Sequence, residues 1–424
     1  MGLGLLGRGV GDAQFLAEQG AEVVVTDLKT KDELAPSVHK LEQYETISFV
    51  LGEHREKDFT NTDMVIKSAG VPLDSPYVAI AREAGVPVTM STALFAAYTP
   101  ATIIGVTGTR GKSTTAHLIS HILTQAGKQV FLGGNVQNVS TLAHLPKSTA
   151  GEIAVLELDS WQLQGFGTEN ISPHIAVFTT FMNDHMDYYQ GDTDRYLADK
   201  ANIFLYQTND DIVILGEQCA HSIQETYSNI ASSIQIASAN DIPHDWIIPL
   251  IGEHNRANSA CAIKATGMFD IPMDILRHGL ESFTGVFGRL DYSDTVHGID
   301  VYNDTTATTP EATGVALQAL SDRSIILIAG GSDKGLDIHT CAEKIKKQCK
   351  AVVWLPGTGT DRIKKYVSDI TEMDAHTMDE AVASAFDIAE TGDVVLLSPG
   401  FASFGLFRNE YDRGEHFLQA VQNI

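Results

Sequence analysis

The sequence has no run of about eighteen apolar residues, the length a membrane-crossing helix needs, and residues 1–11 show no basic stretch leading into an apolar core. Neither a spanning segment nor a secretory leader is expected. Cysteine is scarce: Cys219, Cys261, Cys341 and Cys349 are the four present, and none forms a Cys-x-x-Cys pair. That argues against a disulfide framework or a thiolate zinc site and for reduced thiols in a cytoplasmic protein. Basic charge is short as well. Lys and Arg number 29 against 54 Asp and Glu, a formal net charge of −25, so a surface for nucleic acid or anionic membrane is not expected. A local basic pocket for a phosphorylated small molecule is compatible with these totals. Short-period repeats and low-complexity tracts are also missing.

What is present is an α/β pattern of strand, glycine turn and helix, which implies largely parallel sheets. Apolar runs that read as buried strands fall at 23–26, 64–66, 103–106, 153–158, 175–178, 212–215, 325–329, 352–355 and 394–397. Amphipathic stretches at 114–125, 194–205 and 380–389 read as helices. A chain of 424 residues exceeds one compact core. Three blocks are expected, at 1–92, 93–284 and 285–424, the last opening on the glycine-containing linker 284–288.

The first block opens with Gly2-Leu3-Gly4-Leu5-Leu6-Gly7, a G-x-G-x-x-G turn, and Asp27 follows near the end of the next strand. Glycines there let the backbone approach a diphosphate at a helix N-terminus, and the acid accepts a ribose hydroxyl. A nicotinamide dinucleotide or a UDP-sugar diphosphate would fit such a cradle. The chain opens on this turn, so the strand that such a fingerprint follows is either encoded upstream or missing from the sheet.

The second block carries the strongest signal, Gly105-Val106-Thr107-Gly108-Thr109-Arg110-Gly111-Lys112-Ser113-Thr114, between an apolar strand and a helix. This is the context of a phosphate loop. Backbone N–H groups face phosphate oxygens, Lys112 meets the β- and γ-phosphates, and the Ser113 hydroxyl ligates Mg2+. The compact T-G-T-x-G-K-[ST] spacing points away from GTPases and nucleotide kinases. Glu157 lies within an apolar strand, where a carboxylate is costly unless paired or metal-bound. His185 follows the strand at 175–178, past the end at which parallel sheets bind ligands, with Asp184 and Asp187 as alternative ligands. Lys200, judged by residue type alone, reads as a solvated surface lysine.

With these motifs in order, the chain resembles the Mur ligases, most closely the MurD type that joins glutamate to UDP-N-acetylmuramoyl-alanine. The resemblance runs through the glycine turn, T-G-T-R-G-K-S-T at 107–114, G-G-N at 133–135, L-E-L-D-S-W-Q-L at 156–163 and N-D-H-M-D at 183–187. It continues through Asp199-Lys200, G-E-H-N-R-A-N at 252–258, Gly288-Arg289, Y-N-D-T-T-A-T at 302–308, G-G-S-D-K-G at 330–335 and L-L-S-P-G-F-A-S-F at 396–404.

The resemblance implies three domains: a Rossmann-like UDP-binding domain, a central P-loop domain for ATP, and a Rossmann-like C-terminal domain that closes over ATP and binds glutamate. It implies that Gly108, Thr109, Arg110, Gly111, Lys112, Ser113 and Thr114 hold ATP, with Asn255 and Asn258 on its adenine side and Arg289 and Asp304 reaching it from the third domain. Ser113 and Glu157 would ligate one Mg2+ and His185 a second, supported by an N-carbamoylated Lys200, which reverses the reading of Lys200 as a surface group. Leu5, Leu6, Asp27, Lys29, Ser68 and Gly70 would hold the uridine diphosphate, Asn135 and Gln162 the muramoyl-alanine part, and Lys334 and Ser403 the incoming glutamate. The catalytic set would be Lys112, His185 and Lys200.

The implied enzyme is a monomeric amide-forming ligase acting through an acyl phosphate in peptidoglycan precursor synthesis. Its partners are small molecules. One departure stands out: Thr306 occupies the lysine position of the N-D-S-K-A-T motif. A second lies at Glu410-Tyr411, where some relatives place an aromatic residue first. D-glutamate is the expected amino acid, with L-glutamate the alternative. A folylpolyglutamate-type ligase shares the loop and the lysine but leaves the N-terminal block without a role, and a nicotinamide dehydrogenase leaves Lys112, Glu157 and His185 unexplained. A non-catalytic relative would be expected to lose Lys112, Glu157 or Lys200, and all three are retained.

Overall fold

The structure is a computed structural model that describes residues 1–5 and 7–424. The chain divides into two compact units, Met1–Trp246 with Ala257–Leu280, and Ile247–Arg256 with Glu281–Ile424.

Among the described residues the first unit holds ten strands: β1 (Val23–Asp27), β2 (Ile47–Leu51), β3 (Val65–Ile66), β4 (Val88–Thr89), β5 (Thr102–Thr107), β6 (Val130–Gly134), β7 (Ile153–Glu157), β8 (Ile175–Phe178), β9 (Ile212–Gly216) and β10 (Ser233–Ala237). β1 pairs with β2 and β3 with β4, both parallel. Gly2 donates to the Thr26 carbonyl at 2.8 Å and Ser68 to the Met1 carbonyl at 2.9 Å. The short run around Gly2 therefore lies between β1 and β3, where the strand of a dinucleotide fingerprint is expected.

β5 to β10 form one parallel sheet in the order β10-β9-β8-β5-β7-β6. Its central strands are apolar on both faces, as a sheet covered by helices on both sides requires. Leu156, Phe178, Leu163 and Phe166 are fully buried in one cluster, each side chain contributing about 2 kcal/mol of burial. After β5 the chain crosses to the β6 edge, returns to β7, then passes to the other side of β5 as β8. The crossovers leave β5 in opposite directions, so the crevice at its C-terminal end is the place for a ligand.

The second unit is built on β11 (Asp291–Val296), β12 (Ile299–Asn303), β13 (Ile325–Gly330), β14 (Cys349–Leu355), β15 (Thr371–Asp374) and β16 (Val394–Leu397). Their order is β11-β12-β16-β13-β14-β15, with β11 an antiparallel edge. Apolar clusters cover both faces. The adjacent strands β12, β16 and β13 bring the loops after residues 303, 397 and 330 together.

All nine expected strands are present within a few residues of their expected bounds. Among the described residues seven other strands lacked a long apolar run, including the edge strands β10 and β15, whose side chains are largely exposed. The four cysteines are buried and free. Among the described residues no helix is long and apolar enough to cross a membrane.

Candidate functional site

The phosphate loop leaves β5 at the switch point and enters the helix Lys112–Gln125. Gly108 (φ 145°) and Gly111 (φ 87°) hold backbone angles that favour glycine. A Cβ on Gly108 would stand 2.1 Å from Thr179 Oγ1, and one on Gly111 would stand 2.2 Å from Asn258 Oδ1. The loop thus threads between the end of β8 and the Asn258 carboxamide. Its backbone is tied to the segment after β8: Thr109 N–H donates to Thr180 O at 2.7 Å, and Arg110 N–H to Thr180 Oγ1 at 2.9 Å. The Arg110 guanidinium pairs with Asp184 at 3.4 Å.

Lys112 Nζ donates to the carbonyls of Gly108 at 3.0 Å and Thr109 at 3.1 Å. Ser113 is buried at the first turn of the helix, with Thr114 beside it. Glu157 closes β7 next to Val106, at 3 % exposure, and among the described residues no donor is bonded to its carboxylate. A buried, unbonded carboxylate near a phosphate loop fits a cation. Among the described residues no three His, Cys, Asp or Glu groups converge as a ready-made cage. Mg2+ here would take the Ser113 hydroxyl, single side chains and phosphate oxygens, as it commonly does with nucleotides.

His185 has φ 55°, a left-handed angle that costs a non-glycine residue about 1 kcal/mol. Its ring packs against Trp161 with centroids 4.7 Å apart. Burial lowers its pKa first, Asp184 opposes, and Lys112 and Lys200 lower it further, so the neutral, ligating form is favoured.

Lys200 overturns its residue-type reading as a solvated lysine. It lies on the helix Thr193–Ala201 at 1 % exposure. Its Nζ donates to Gly108 O at 2.9 Å and stands 4.9 Å from the centre of the Tyr196 ring. Burial, then the Lys112 charge, drives its pKa well below the ordinary lysine value. The next residue back, Asp199, accepts from Gln164 at 2.7 Å and Tyr189 at 3.0 Å, which fastens this helix to the helix Ser160–Glu169.

At the N-terminal cradle the Asp27 carboxylate accepts from the Gly4 N–H at 3.2 Å and the Lys29 N–H at 2.9 Å. Ser68 Oγ would stand 2.5 Å from a Cβ on Gly2, while a Cβ on Gly70 would meet only open space. Leu5 is exposed; Leu6 lies outside the described residues. Asn135 Oδ1 accepts from the Arg8 guanidinium at 2.7 Å, and the Asn135 N–H donates to Glu157 O at 2.7 Å. The Gln162 carboxamide is engaged in a capping box with Asp159 and donates to Thr92 Oγ1 at 3.2 Å.

Two buried cations had no counterpart in the sequence reading. Lys67 Nζ donates to the Val71 carbonyl at 2.8 Å, and burial lowers its pKa to about 8. Arg413 is the second. A basic residue at a strand end or in a glycine-bounded helix turn is the only signal either one offered.

Asn255 and Asn258 stand one turn apart on the helix Glu253–Thr266; Asn255 Nδ2 donates to Ile251 O at 2.8 Å. In the second unit, Asp304 Oδ1 accepts from the Leu290 N–H at 3.0 Å and Oδ2 from Ser398 Oγ at 2.8 Å. Burial raises its pKa to about 7 against the opposing charges of Arg289 and Arg413. Lys334 Nζ donates to Thr308 Oγ1 at 3.1 Å. Ser332 and Ala402 exchange backbone hydrogen bonds at 2.9 and 3.1 Å, which sets the Lys334 loop beside Ser403.

A parallel sheet with a phosphate loop at its switch point and a buried lysine beneath that loop define a nucleotide-dependent α/β enzyme. Three family models match the chain: "Mur ligase MurD-like, N-terminal domain" over residues 1–90, "Mur ligase middle domain" over 106–242, and "Mur ligase, glutamate ligase domain" over 288–401. A protein named UDP-N-acetylmuramoylalanine–D-glutamate ligase from Roseiflexus sp. (strain RS-1) is 37% identical, over 100% of this chain and 98% of its own. One of the same name from Borreliella burgdorferi is 35% identical, over 100% and 97%. Among solved structures, the UDP-N-acetylmuramate–alanine ligase MurC of Thermotoga maritima aligns with a TM-score of 0.64 at 18% identity, covering 100% of this chain and 98% of that one. The MurF ligase of Thermotoga maritima, in complex with ADP, aligns with a TM-score of 0.62 at 14% identity, covering 95% of each. The chain belongs to the Mur ligase family, ATP-dependent enzymes that form amide bonds.

Proposed function

We propose that this enzyme joins D-glutamate to the alanine carboxylate of UDP-N-acetylmuramoyl-L-alanine, with ATP cleaved to ADP and phosphate. The observation that carries the ligase chemistry is the convergence of Lys112 and Lys200 on the Gly108 carbonyl beside Glu157 and His185. The amino acid and the nucleotide precursor follow from the names of the full-length relatives.

A carboxylate oxygen of the alanine attacks the γ-phosphorus, ADP departs, and an acyl phosphate forms. The amine nitrogen of glutamate then attacks the acyl carbon, the tetrahedral intermediate expels phosphate, and the nitrogen loses its proton. Lys112 and the loop N–H groups offset charge on the transferring phosphoryl group. Ser113 and Glu157 would hold one Mg2+, and His185 with an N-carbamoylated Lys200 a second. The metal supplies Lewis-acid charge to phosphate oxygens. Burial lowers the Lys200 pKa and so favours the neutral amine, the form that adds to CO2, losing one proton and gaining a carboxylate.

Asn255, Asn258, Arg289 and Asp304 serve ATP; Leu5, Leu6, Asp27, Lys29, Ser68, Gly70, Asn135 and Gln162 serve the UDP substrate; Lys334 and Ser403 serve glutamate. The functional domains are 1–92, 93–284 and 285–424, and the enzyme works as a cytoplasmic monomer. The test is phosphate release by purified enzyme with ATP, UDP-N-acetylmuramoyl-L-alanine and either D- or L-glutamate. D-glutamate should support turnover and L-glutamate little. Equal or faster release with the L-form would overturn the D assignment.

A further inference from the structure

Lys67, a buried cation that the scheme above leaves unused, stands just past the C-terminal end of β3 at 2 % exposure. Its N–H donates to Thr89 O at 3.0 Å, and its Nζ to Val71 O at 2.8 Å. The Val71 N–H donates to Ser68 O at 3.1 Å and closes a tight turn over residues 68–71, while the Ser68 N–H donates to Met1 O at 2.9 Å. Both backbone polar groups of Val71 are therefore held. A Cβ on Gly2 would stand 2.5 Å from Ser68 Oγ and 3.1 Å from Val71 Cγ2, so the turn lies directly against the first glycine turn.

The other end of the turn is open. Ser68 and Gly70 are exposed, and among the described residues the Ala69 and Gly70 N–H groups donate to no acceptor. Successive free N–H groups in a turn suit phosphate oxygens.

What Lys67 supplies here is position rather than net charge. Burial lowers its pKa most, Asp159 opposes, Arg82 adds to the lowering and Asp199 opposes again. Asp159 Oδ1 accepts from the Gln162 N–H at 2.7 Å and caps the helix that carries Gln162. The amine thus bonds the turn and attracts the acid that seats Gln162. The bond from the Val71 N–H to Ser68 O already closes the turn, and a second tie made by burying an ammonium costs free energy. Its return is a turn fixed in advance, which a ligand does not have to order on binding.

We infer that Lys67 is a positioning residue of the UDP-substrate site: its buried amine fixes the Ser68–Val71 turn so that the Ala69 and Gly70 N–H groups are set for the substrate's diphosphate. This rests on the reading of Ser68 and Gly70 as UDP-substrate residues.

The test uses full-length enzyme, steady-state phosphate release and melting temperature. Lys67→Met should raise the KM for the UDP substrate roughly tenfold while the KM values for ATP and glutamate stay within about twofold. Should Lys67→Met fail to fold, Lys67→Gln, neutral and one bond shorter, takes its place with the same expected result. Gly70→Ala is the companion variant. Its Cβ would meet only open space in the fold, so the melting temperature should stay native while the KM for the UDP substrate rises.

A native KM for the UDP substrate in the folded Lys67 variant, with that KM raised in Gly70→Ala, would overturn the inference. So would an equal rise in all three KM values. A native KM for the UDP substrate in Gly70→Ala would instead overturn the reading on which the inference rests.

Discussion

Lys112 and Lys200 share one acceptor: both amines reach the Gly108 carbonyl oxygen, at 3.0 and 2.9 Å. Two full ammonium charges this close repel in a buried setting. The half-buried partner, Lys112, is the one suited to meet phosphate as a cation, and the enclosed Lys200 is the one whose pKa is driven down.

That relationship makes Lys200→Ala informative. The variant should lose most activity, and millimolar short carboxylic acids such as formate or acetate should restore part of it by standing in for the carbamate. Phosphate release with and without the added acid is the measurement. Native rates in the unsupplemented variant would remove the carbamate from the scheme.

Lys112→Ala should lower kcat by about two to three orders of magnitude, the usual effect of deleting one preorganised charge contact at a developing anion. Folding should be little affected, because the Lys112 amine bonds carbonyls of its own loop, at Gly108 and Thr109. Melting temperature and phosphate release measured together separate the two effects.

Arg8 leaves the first turn of the helix after the glycine turn and meets Asn135 at 2.7 Å. Asn135 is expected to meet the muramoyl-alanine part of the precursor, and Arg8 holds its carboxamide oxygen. Arg8→Met should raise the KM for the UDP substrate by roughly tenfold with the KM for ATP unchanged. An unchanged KM for the UDP substrate would confine Arg8 to a structural link.

Asp304 gives a pH prediction. Its folded pKa, about 7, lies above the ordinary carboxyl value near 3.8, so between those values the folded state keeps a proton that the unfolded chain releases. Stability from this group therefore falls as pH rises from about 4 to about 7 and is flat above that. Asp304→Asn should flatten the melting-temperature profile in that window. An identical slope in the variant would place the titration elsewhere.

Much of the site could be read in the linear order of residues. The phosphate loop needs contiguous glycines, a lysine and a hydroxyl between strand and helix, and these local demands leave a local signature. Glu157 was legible because a carboxylate within an apolar strand is anomalous by itself. Lys200 was not, since its helix looks like any amphipathic surface helix. Only the family resemblance pointed to it. Arg413 and Lys67 left still less trace, because their burial depends on loops far away in sequence.

The residues in order settled the parallel α/β class, the turns where backbone must bend through glycine, and the chemistry of the triphosphate cradle, because each is dictated by neighbours along the chain. Which charges lose their water was decided only in three dimensions. Lys200 reaches under Gly108 from 92 residues away, and Arg413 reaches Thr305 from 108. The cost of removing a charge from solvent depends on everything that encloses it.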